Sequence, residues 1–193
     1  IEEGDVDIPS EESIVRQVMY GNQFFRREFG IASDDFILPD CFGFPASLPS
    51  ILAHCGIKGF STQKLTWGSA VGIPFNVGKW YGPDGQSVIA ALNAGSYTAD
   101  IHDDLSHDAK WEQRLAEDEQ KTGVPVDYRY YGVGDRGGAV RDSDAKNLEL
   151  SLHGGGPLKI VAGRGDYNRN GPLSSKDGRP RRGNPRRSAG QPG

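Results

Sequence analysis

The chain has 193 residues, of which 36% are hydrophobic, and its formal net charge at pH 7 is −4. This length predicts a single domain with one modest core. The negative charge argues against nucleic acid as the main partner. The apolar stretches are far shorter than the roughly 20 residues that a membrane-spanning helix needs, so we expect no membrane partner.

The first predicted element is a helix that begins after Ser10. Ser10 suits the N-cap position, and Glu11 and Glu12 place negative charge at the positive end of the helix dipole. Apolar residues then recur at roughly helical spacing as far as Phe29. Gly30 follows as the residue that ends the helix.

Short strands and further helices are predicted to alternate along the rest of the chain. Strands are predicted at 36–38, 59–62, 88–92, 126–131 and 158–162, and helices at 47–56, 103–121 and 142–152. Residues 72–85 are predicted to form a loop, because they contain two prolines and an Asp-Gly pair. The alternation indicates an α/β fold made of parallel β/α units.

The composition of the chain changes after residue 162. Residues 163–193 contain eight Lys or Arg against two Asp or Glu, and eleven of these 31 residues are Gly or Pro. Such a segment cannot bury enough apolar surface to offset the entropy lost on ordering. We therefore predict a folded region at 1–162 and a disordered basic tail at 163–193.

Two carboxylates occupy positions where β/α folds collect functional side chains, namely strand ends and the loops that follow them. Asp40 closes the strand predicted at 36–38, and Asp135 lies in the glycine-rich loop 132–138 after the strand predicted at 126–131. Glycoside hydrolysis needs two such groups, one to protonate the leaving oxygen and one to attack or to activate water. The local pattern alone favours ordinary roles, a helix cap for Asp40 and a turn residue for Asp135.

The histidines and cysteines give no metal site on their own. None of the four histidines is spaced from another His or Cys as metal ligands are. Cys41 and Cys55 form no Cys-x-x-Cys motif, and we interpret them as buried thiols of a reducing compartment rather than as a disulfide. Because reduced thiols are typical of the cytoplasm, we predict a cytoplasmic location.

Four stretches of the chain resemble one known family in their order and spacing. They are GDVDIPSEESIVRQ at 4–17, LPDCFGFP at 38–45 with LP at 48–49 and IL at 51–52, FSTQKLTW at 60–67, and YGVGDRGGA at 131–139. Together they resemble glycoside hydrolase family 38, especially its bacterial α-mannosidases. The resemblance extends from about residue 3 to 161, which marks 1–162 as part of a catalytic domain.

The resemblance implies a retaining α-mannosidase that acts on an α-mannoside or oligosaccharide through a covalent glycosyl-enzyme intermediate. It further implies an incomplete parallel β/α barrel, of a family whose barrels have seven strands, and one bound Zn²⁺. Asp40 matches the family's nucleophile, which is also a zinc ligand, and Asp135 matches its general acid/base. The zinc ion grips the vicinal hydroxyls of the sugar and helps to distort its ring.

The other zinc ligands of the family are not found in this sequence. An early His-x-Asp would precede Ile1, and a later His would stand before a Ser-Ala-Gly run, where this chain has Arg187 followed by Ser188. We therefore expect the 193-residue chain to bind zinc poorly and to hydrolyse little or no mannoside.

Two alternatives stay open at this point. A polysaccharide-deacetylase-like metal hydrolase would need an Asp-Asp pair together with a His-x-x-x-His set, and the Asp pairs at 34–35 and 103–104 lack such histidines. The other alternative is a non-catalytic remnant that only binds carbohydrate. Such a remnant would differ from the enzyme only in that it would neither bind a metal ion nor turn over substrate.

Overall fold

The structure is a computed structural model that describes residues 4–67, 71–135 and 137–162. Within these residues the chain forms an α/β fold. Its elements are α1 (Glu11–Phe29), β1 (Asp35–Ile37), α2 (Leu48–His54), β2 (Gly59–Ser61), β3 (Val77–Tyr81), β4 (Ser87–Ala91), α3 (Ala109–Thr122) and α4 (Asp142–Leu152). None of these helices is long and apolar enough to cross a membrane. The predicted tail at 163–193 lies outside the described residues.

Helix α1 has the capped ends that its sequence predicts. The Ser13 backbone N–H donates a hydrogen bond to the Ser10 hydroxyl at 3.3 Å, which satisfies one of the free donors of the first turn. At the other end Gly30 adopts a left-handed conformation, with φ 72°, and its N–H donates to the Arg26 carbonyl at 3.1 Å. The helix prediction is confirmed at both boundaries.

The strands form one open sheet in the order β1-β2-β4-β3. Strands β1, β2 and β4 are parallel, which confirms three of the predicted strands. The prediction of a loop at 72–85 is wrong, because β3 lies within that range and pairs antiparallel with β4, from Val77 opposite Ala91 to Tyr81 opposite Ser87. The turn between them contains Gly85 at φ 81°, and an Asp-Gly pair is a known hairpin signal.

The predicted strands at 126–131 and 158–162 are wrong for the described residues. Residues 126–131 do not join the sheet; the Tyr130 N–H donates to the Ala94 carbonyl at 2.7 Å, and its hydroxyl lies 2.6 Å from the Ser61 hydroxyl. The Leu158 backbone N–H likewise donates a hydrogen bond to the Ser106 carbonyl at 3.1 Å, but the residues around it form no strand. The described residues therefore show an open mixed sheet, and the parallel barrel that the resemblance implies stays a prediction.

The core lies between one face of the sheet and helices α1 and α2. Side chains alternate along a strand, so residues two apart share a face. The buried apolar residues of this layer are Ile14, Val18, Phe36, Leu38, Leu48, Leu52, Phe60, Val88 and Ala90. The ring of Trp80 packs edge-on against Phe60 with centroids 5.0 Å apart. Trp80 is thus partly buried and packs against the core.

The boundaries of α4 were predicted correctly, whereas the start of α3 was not. Helix α4 begins and ends at the predicted residues, Asp142 and Leu152. Helix α3 begins at Ala109, six residues later than predicted, because the Asp108 carboxylate accepts hydrogen bonds from the next backbone N–H groups and caps the helix there. A separate 3₁₀ turn, Leu105–His107, occupies the preceding residues.

The turn between β3 and β4 is attached to α2 by the side chain of Asp84. The Ser50 hydroxyl donates to Asp84 Oδ1 at 2.5 Å, and His54 Nε2 lies 2.8 Å from Asp84 Oδ2. The Gln86 backbone N–H also donates to Oδ1, at 3.0 Å. These bonds lower the pKa of Asp84 to about 2, and the bond from Ser50 has the largest effect, ahead of the bond from Gln86.

We expect Asp84→Asn to remove a part of the stability that depends on pH. The folded-state pKa lies below the usual value of 3.8, so this contribution is present above about 3.8 and is lost as the pH falls towards about 2. Urea unfolding at several pH values should show the wild type and Asp84→Asn converging across that interval. Glu119→Gln, an equal charge change on the exposed side of α3, is the control. A constant difference between wild type and Asp84→Asn across that interval would contradict the prediction.

Candidate active site

The carboxyl ends of three neighbouring strands place three polar side chains together. Strands β1, β2 and β4 are parallel and adjacent, so the residues that follow them emerge at the same edge of the sheet. Asp40 follows β1, Lys64 follows β2 and Tyr97 follows β4. The edge therefore carries a carboxylate, an ammonium group and a phenol.

Asp40 and Lys64 form an ion pair at this edge. Lys64 Nζ lies 3.1 Å from Asp40 Oδ1, and the Lys64 side chain is only 8% exposed whereas that of Asp40 is 44% exposed. The ammonium group also lies 3.6 Å from the centroid of the Trp67 ring, which is close enough for a cation–π interaction. A buried ammonium needs a partner of opposite charge, and Asp40 supplies it while keeping access to solvent.

Asp135 reaches the same place through Tyr97. The Tyr97 hydroxyl donates a hydrogen bond to Asp135 Oδ1 at 2.8 Å. The pKa of Tyr97 is raised to about 12. The bond to Asp135 is the largest cause, followed by burial and by the negative charge of Asp40. The phenol therefore stays protonated, and so remains a hydrogen-bond donor, at neutral pH. The Lys64 ammonium that pairs with Asp40 also lies 5.3 Å from the centroid of the Tyr97 ring, so the structure brings the two predicted carboxylates to the same sheet edge.

Lys64 and Tyr97 were not singled out in the sequence. Lys64 lies inside the stretch FSTQKLTW, where a lysine that follows Ser, Thr and Gln reads as an exposed side chain. Tyr97 follows the end of β4 by six residues, in a polar segment. The rule that pointed to Asp40, that functional side chains follow parallel strands, applies equally to these two residues and could have found them.

The described residues do not supply a zinc site. No group of three or more His, Cys, Asp or Glu side chains within them could hold a metal ion. The charged neighbour of Asp40 is the Lys64 ammonium, and His54 is bonded to Asp84 instead. His102 and His107 are largely exposed beside Asp residues of their own segment, Asp100 and Asp104. Asp40 has one carboxylate to offer a metal ion, and the described residues do not add the donor set that Zn²⁺ needs.

Comparison with known proteins identifies the family. The model of the N-terminal domain of glycosyl hydrolases family 38 matches residues 2–152. The chain belongs to glycoside hydrolase family 38. The match includes both carboxylates at the sheet edge and ends at the last residue of α4.

Curated relatives of this family 38 chain are named α-mannosidases. An α-mannosidase of Saccharomyces cerevisiae is 38% identical over 138 residues, which cover 70% of this chain and 12% of that protein. Alpha-mannosidase G of Dictyostelium discoideum is 46% identical over 87 residues, covering 45% of the chain and 8% of the relative. Alpha-mannosidase 2C1 of Mus musculus is 44% identical over 93 residues, which cover 48% of this chain and 9% of the relative. The chain thus spans about a tenth of the length of these relatives.

A solved structure shares the fold of this family 38 chain. The crystal structure of an α-mannosidase from Enterococcus faecalis V583 aligns with a TM-score of 0.56 and 21% sequence identity. The alignment covers 78% of this chain and 17% of the other. At that identity the likeness concerns the fold alone, and the roles of individual residues have to be argued from this chain's own side chains.

Proposed function

We propose that this chain carries the catalytic carboxylates of a retaining α-mannosidase that hydrolyses terminal α-linked mannose. The observation that carries the proposal is the placement of Asp40 and Asp135 at one sheet edge, where Lys64 pairs with Asp40 and lies beside the ring of Tyr97, whose hydroxyl bonds Asp135. Two carboxylates on one rim are what glycoside hydrolysis requires. The names of the curated relatives support mannose as the sugar.

Asp40 is proposed as the nucleophile. Its ion pair with Lys64 places a fixed positive charge beside one carboxylate oxygen, and its 44% exposure leaves the side chain open to a substrate. Attack by Asp40 on the anomeric carbon would break the bond to the leaving oxygen and form a covalent glycosyl-enzyme. The Lys64 ammonium would then stay near the ester oxygens and offset the charge that returns to Asp40 when water releases the sugar.

Asp135 is proposed as the general acid/base. Its Oδ1 accepts the hydrogen bond from Tyr97, so a proton on Oδ2 would be the one passed to the leaving oxygen. After that transfer the same carboxylate would take a proton from the water that attacks the glycosyl-enzyme. Tyr97 can keep its bond to Oδ1 through both steps, because its raised pKa keeps the phenol protonated.

Zinc and the barrel belong to this proposal as well. We propose Asp40 as one zinc ligand, with the other ligands outside the described residues, and no step of the reaction above passes through the ion. The four-stranded sheet is proposed to be one part of a seven-stranded β/α barrel. On this basis the 193-residue chain by itself is expected to show little or no hydrolysis of an aryl α-mannoside, with or without added Zn²⁺.

A chimera with a complete site tests the roles of both carboxylates. The 138 residues of the Saccharomyces cerevisiae α-mannosidase that match this chain would be replaced by the chain's own residues. Asp40→Asn in the chimera is expected to lower kcat for an aryl α-mannoside by about 10³-fold or more, since loss of a nucleophile typically costs this much. Asp84→Asn, which lies at the β3–β4 turn, is the matched control and should keep the kcat of the chimera.

Asp135→Asn in the same chimera should give a different signature. General acid catalysis contributes about 10²–10⁴-fold, and it matters most for a poor leaving group. Hydrolysis of an alkyl or unsubstituted phenyl α-mannoside should therefore fall by about that factor, whereas formation of the glycosyl-enzyme from a dinitrophenyl α-mannoside should change little. Retention of the parent chimera's kcat by Asp40→Asn would overturn the proposal. Equal losses for both leaving groups would overturn the role of Asp135.

A further inference from the structure

Tyr97 is bonded to both halves of the candidate site. Its hydroxyl donates to Asp135 Oδ1 at 2.8 Å, and its backbone N–H donates to Gln63 Oε1 at 3.1 Å. Gln63 is 6% exposed and directly precedes Lys64, whose ammonium group pairs with Asp40. Tyr97 thus binds Asp135 through its hydroxyl and, through its backbone N–H, the Gln63–Lys64 segment that pairs with Asp40.

The glycine loop is shaped around the ring of Tyr97. A Cβ atom added to Gly134 would lie 2.1 Å from Tyr97 Cε2 and 2.8 Å from Thr98 Cγ2, so only glycine lets the loop backbone approach the ring this closely. The Gly132 N–H also donates to the Ala99 carbonyl at 3.0 Å. The loop therefore rests on residues 97–99 through both backbone and ring contacts.

Asp135 itself adopts a conformation that the surroundings must maintain. Its φ is 61°, in the left-handed region that most residues with a side chain avoid but that Asp adopts more readily. A contact to its side chain favours this conformation over the others that an exposed loop residue can adopt. The bond from the Tyr97 hydroxyl is such a contact, and it fixes the carboxylate as well as the backbone.

We propose that Tyr97 is a positioning residue that sets Asp135 relative to Asp40, through its ring against Gly134 and its hydroxyl on Oδ1. The roles of the two carboxylates rest on the function proposed above, but the positioning concerns the free chain and needs no substrate. The absence of a side chain at Gly134 is then a requirement of the site, because any larger residue displaces the ring that holds Asp135.

Hydrogen exchange of the loop amides at 131–135 tests this arrangement in the 193-residue chain. Tyr97→Phe removes only the hydroxyl, and loss of one such hydrogen bond should speed exchange by about fivefold. Gly134→Ala should speed it by at least about tenfold, because the added methyl group cannot fit beside the ring. Gly155→Ala, whose Cβ would meet nothing within 4 Å, and Tyr81→Phe, on an exposed side chain, are the matched controls and should leave exchange unchanged.

A rescue experiment separates steric displacement from general loss of stability. Gly134→Ala should have a smaller further effect in a Tyr97→Ala background, because the ring atom at 2.1 Å is then gone and the contact with Thr98 Cγ2 at 2.8 Å remains. An equal effect of Gly134→Ala in both backgrounds would contradict the proposal. Exchange in Tyr97→Phe that matches the wild type would also contradict it, whichever way Gly134→Ala behaves.

Carbon NMR at a fixed pH of 7 reports whether the two carboxylates are linked through Tyr97. Asp135→Ala should shift the ¹³Cγ resonance of Asp40 in the wild-type background, and this shift should shrink by at least about half in a Tyr97→Phe background, because without the hydroxyl bond Asp135 is no longer held near Asp40. An unchanged shift would overturn the positioning role. Neither measurement uses a substrate, so the outcome is independent of whether the chain belongs to an active α-mannosidase.

Discussion

Replacing Asp127 by alanine is expected to lower the free energy of unfolding by about 3–5 kcal/mol, because it leaves a largely buried guanidinium without its counter-charge. The Asp127 side chain is 3% exposed and that of Arg114 is 17% exposed. Arg114 binds Asp127 through both Nε and Nη2, the latter at 3.0 Å from Oδ1. The Tyr128 backbone N–H also loses its acceptor, which lies at 2.7 Å.

Urea unfolding of matched variants distinguishes burial from simple loss of charge. Asp127→Asn keeps the shape and one acceptor oxygen, so its cost should fall between those of the wild type and the alanine variant. Glu28→Ala breaks an ion pair with Arg27 in which the side chains are 43% and 69% exposed, and it should change the free energy by no more than about 0.5 kcal/mol. A cost for Asp127→Ala as small as that of Glu28→Ala would show that this pair adds nothing.

Leu52→Ala is expected to destabilise the chain by about 2–5 kcal/mol. Leu52 is fully buried on α2, in the layer that packs against the sheet. Shortening it removes apolar contacts and leaves a cavity that the surrounding strands cannot close without moving. The effect should also loosen the edge where Asp40 lies, because β1 packs on the same layer through Phe36.

The urea midpoint and slope of Leu52→Ala, compared with those of Leu150→Ala, provide the measurement. Leu150 is 61% exposed on α4, so the same deletion there should change the free energy of unfolding by less than about 1 kcal/mol. A similar cost at both positions would contradict the packing described here. A changed slope in Leu52→Ala would instead indicate that unfolding is no longer two-state.

Much of the fold was predictable because its signals are local. The caps of α1 at Ser10 and Gly30 and the apolar runs of β1, β2 and β4 each lie within a few residues of sequence. Strand β3 was missed because its stability comes from pairing with β4, and Gly78 and Lys79 interrupt any apolar pattern. Residues 126–131 look like a strand, but the Asp127 carboxylate binds Arg114, a partner that sequence spacing does not reveal.

The candidate site was predictable in part for the same reason. Asp40 and Asp135 stand out because each follows a predicted strand, and their roles stay predictions. Their approach to each other depends on the order of the strands and on Tyr97, which are non-local features. Lys64 has no sequence signal for its burial, since the aromatic rings that cover it come from three separate segments.

The covered position of Lys64 has a practical consequence for chemical labelling of the protein. The Lys64 side chain is 8% exposed and its ammonium group lies between Asp40 and the Trp67 ring, so it offers little free amine to an acylating reagent. Lysines such as Lys146 and Lys58, with side chains 71% and 58% exposed, would react first. Dyes or surface anchors coupled through amines should therefore attach away from the sheet edge and leave the two carboxylates accessible.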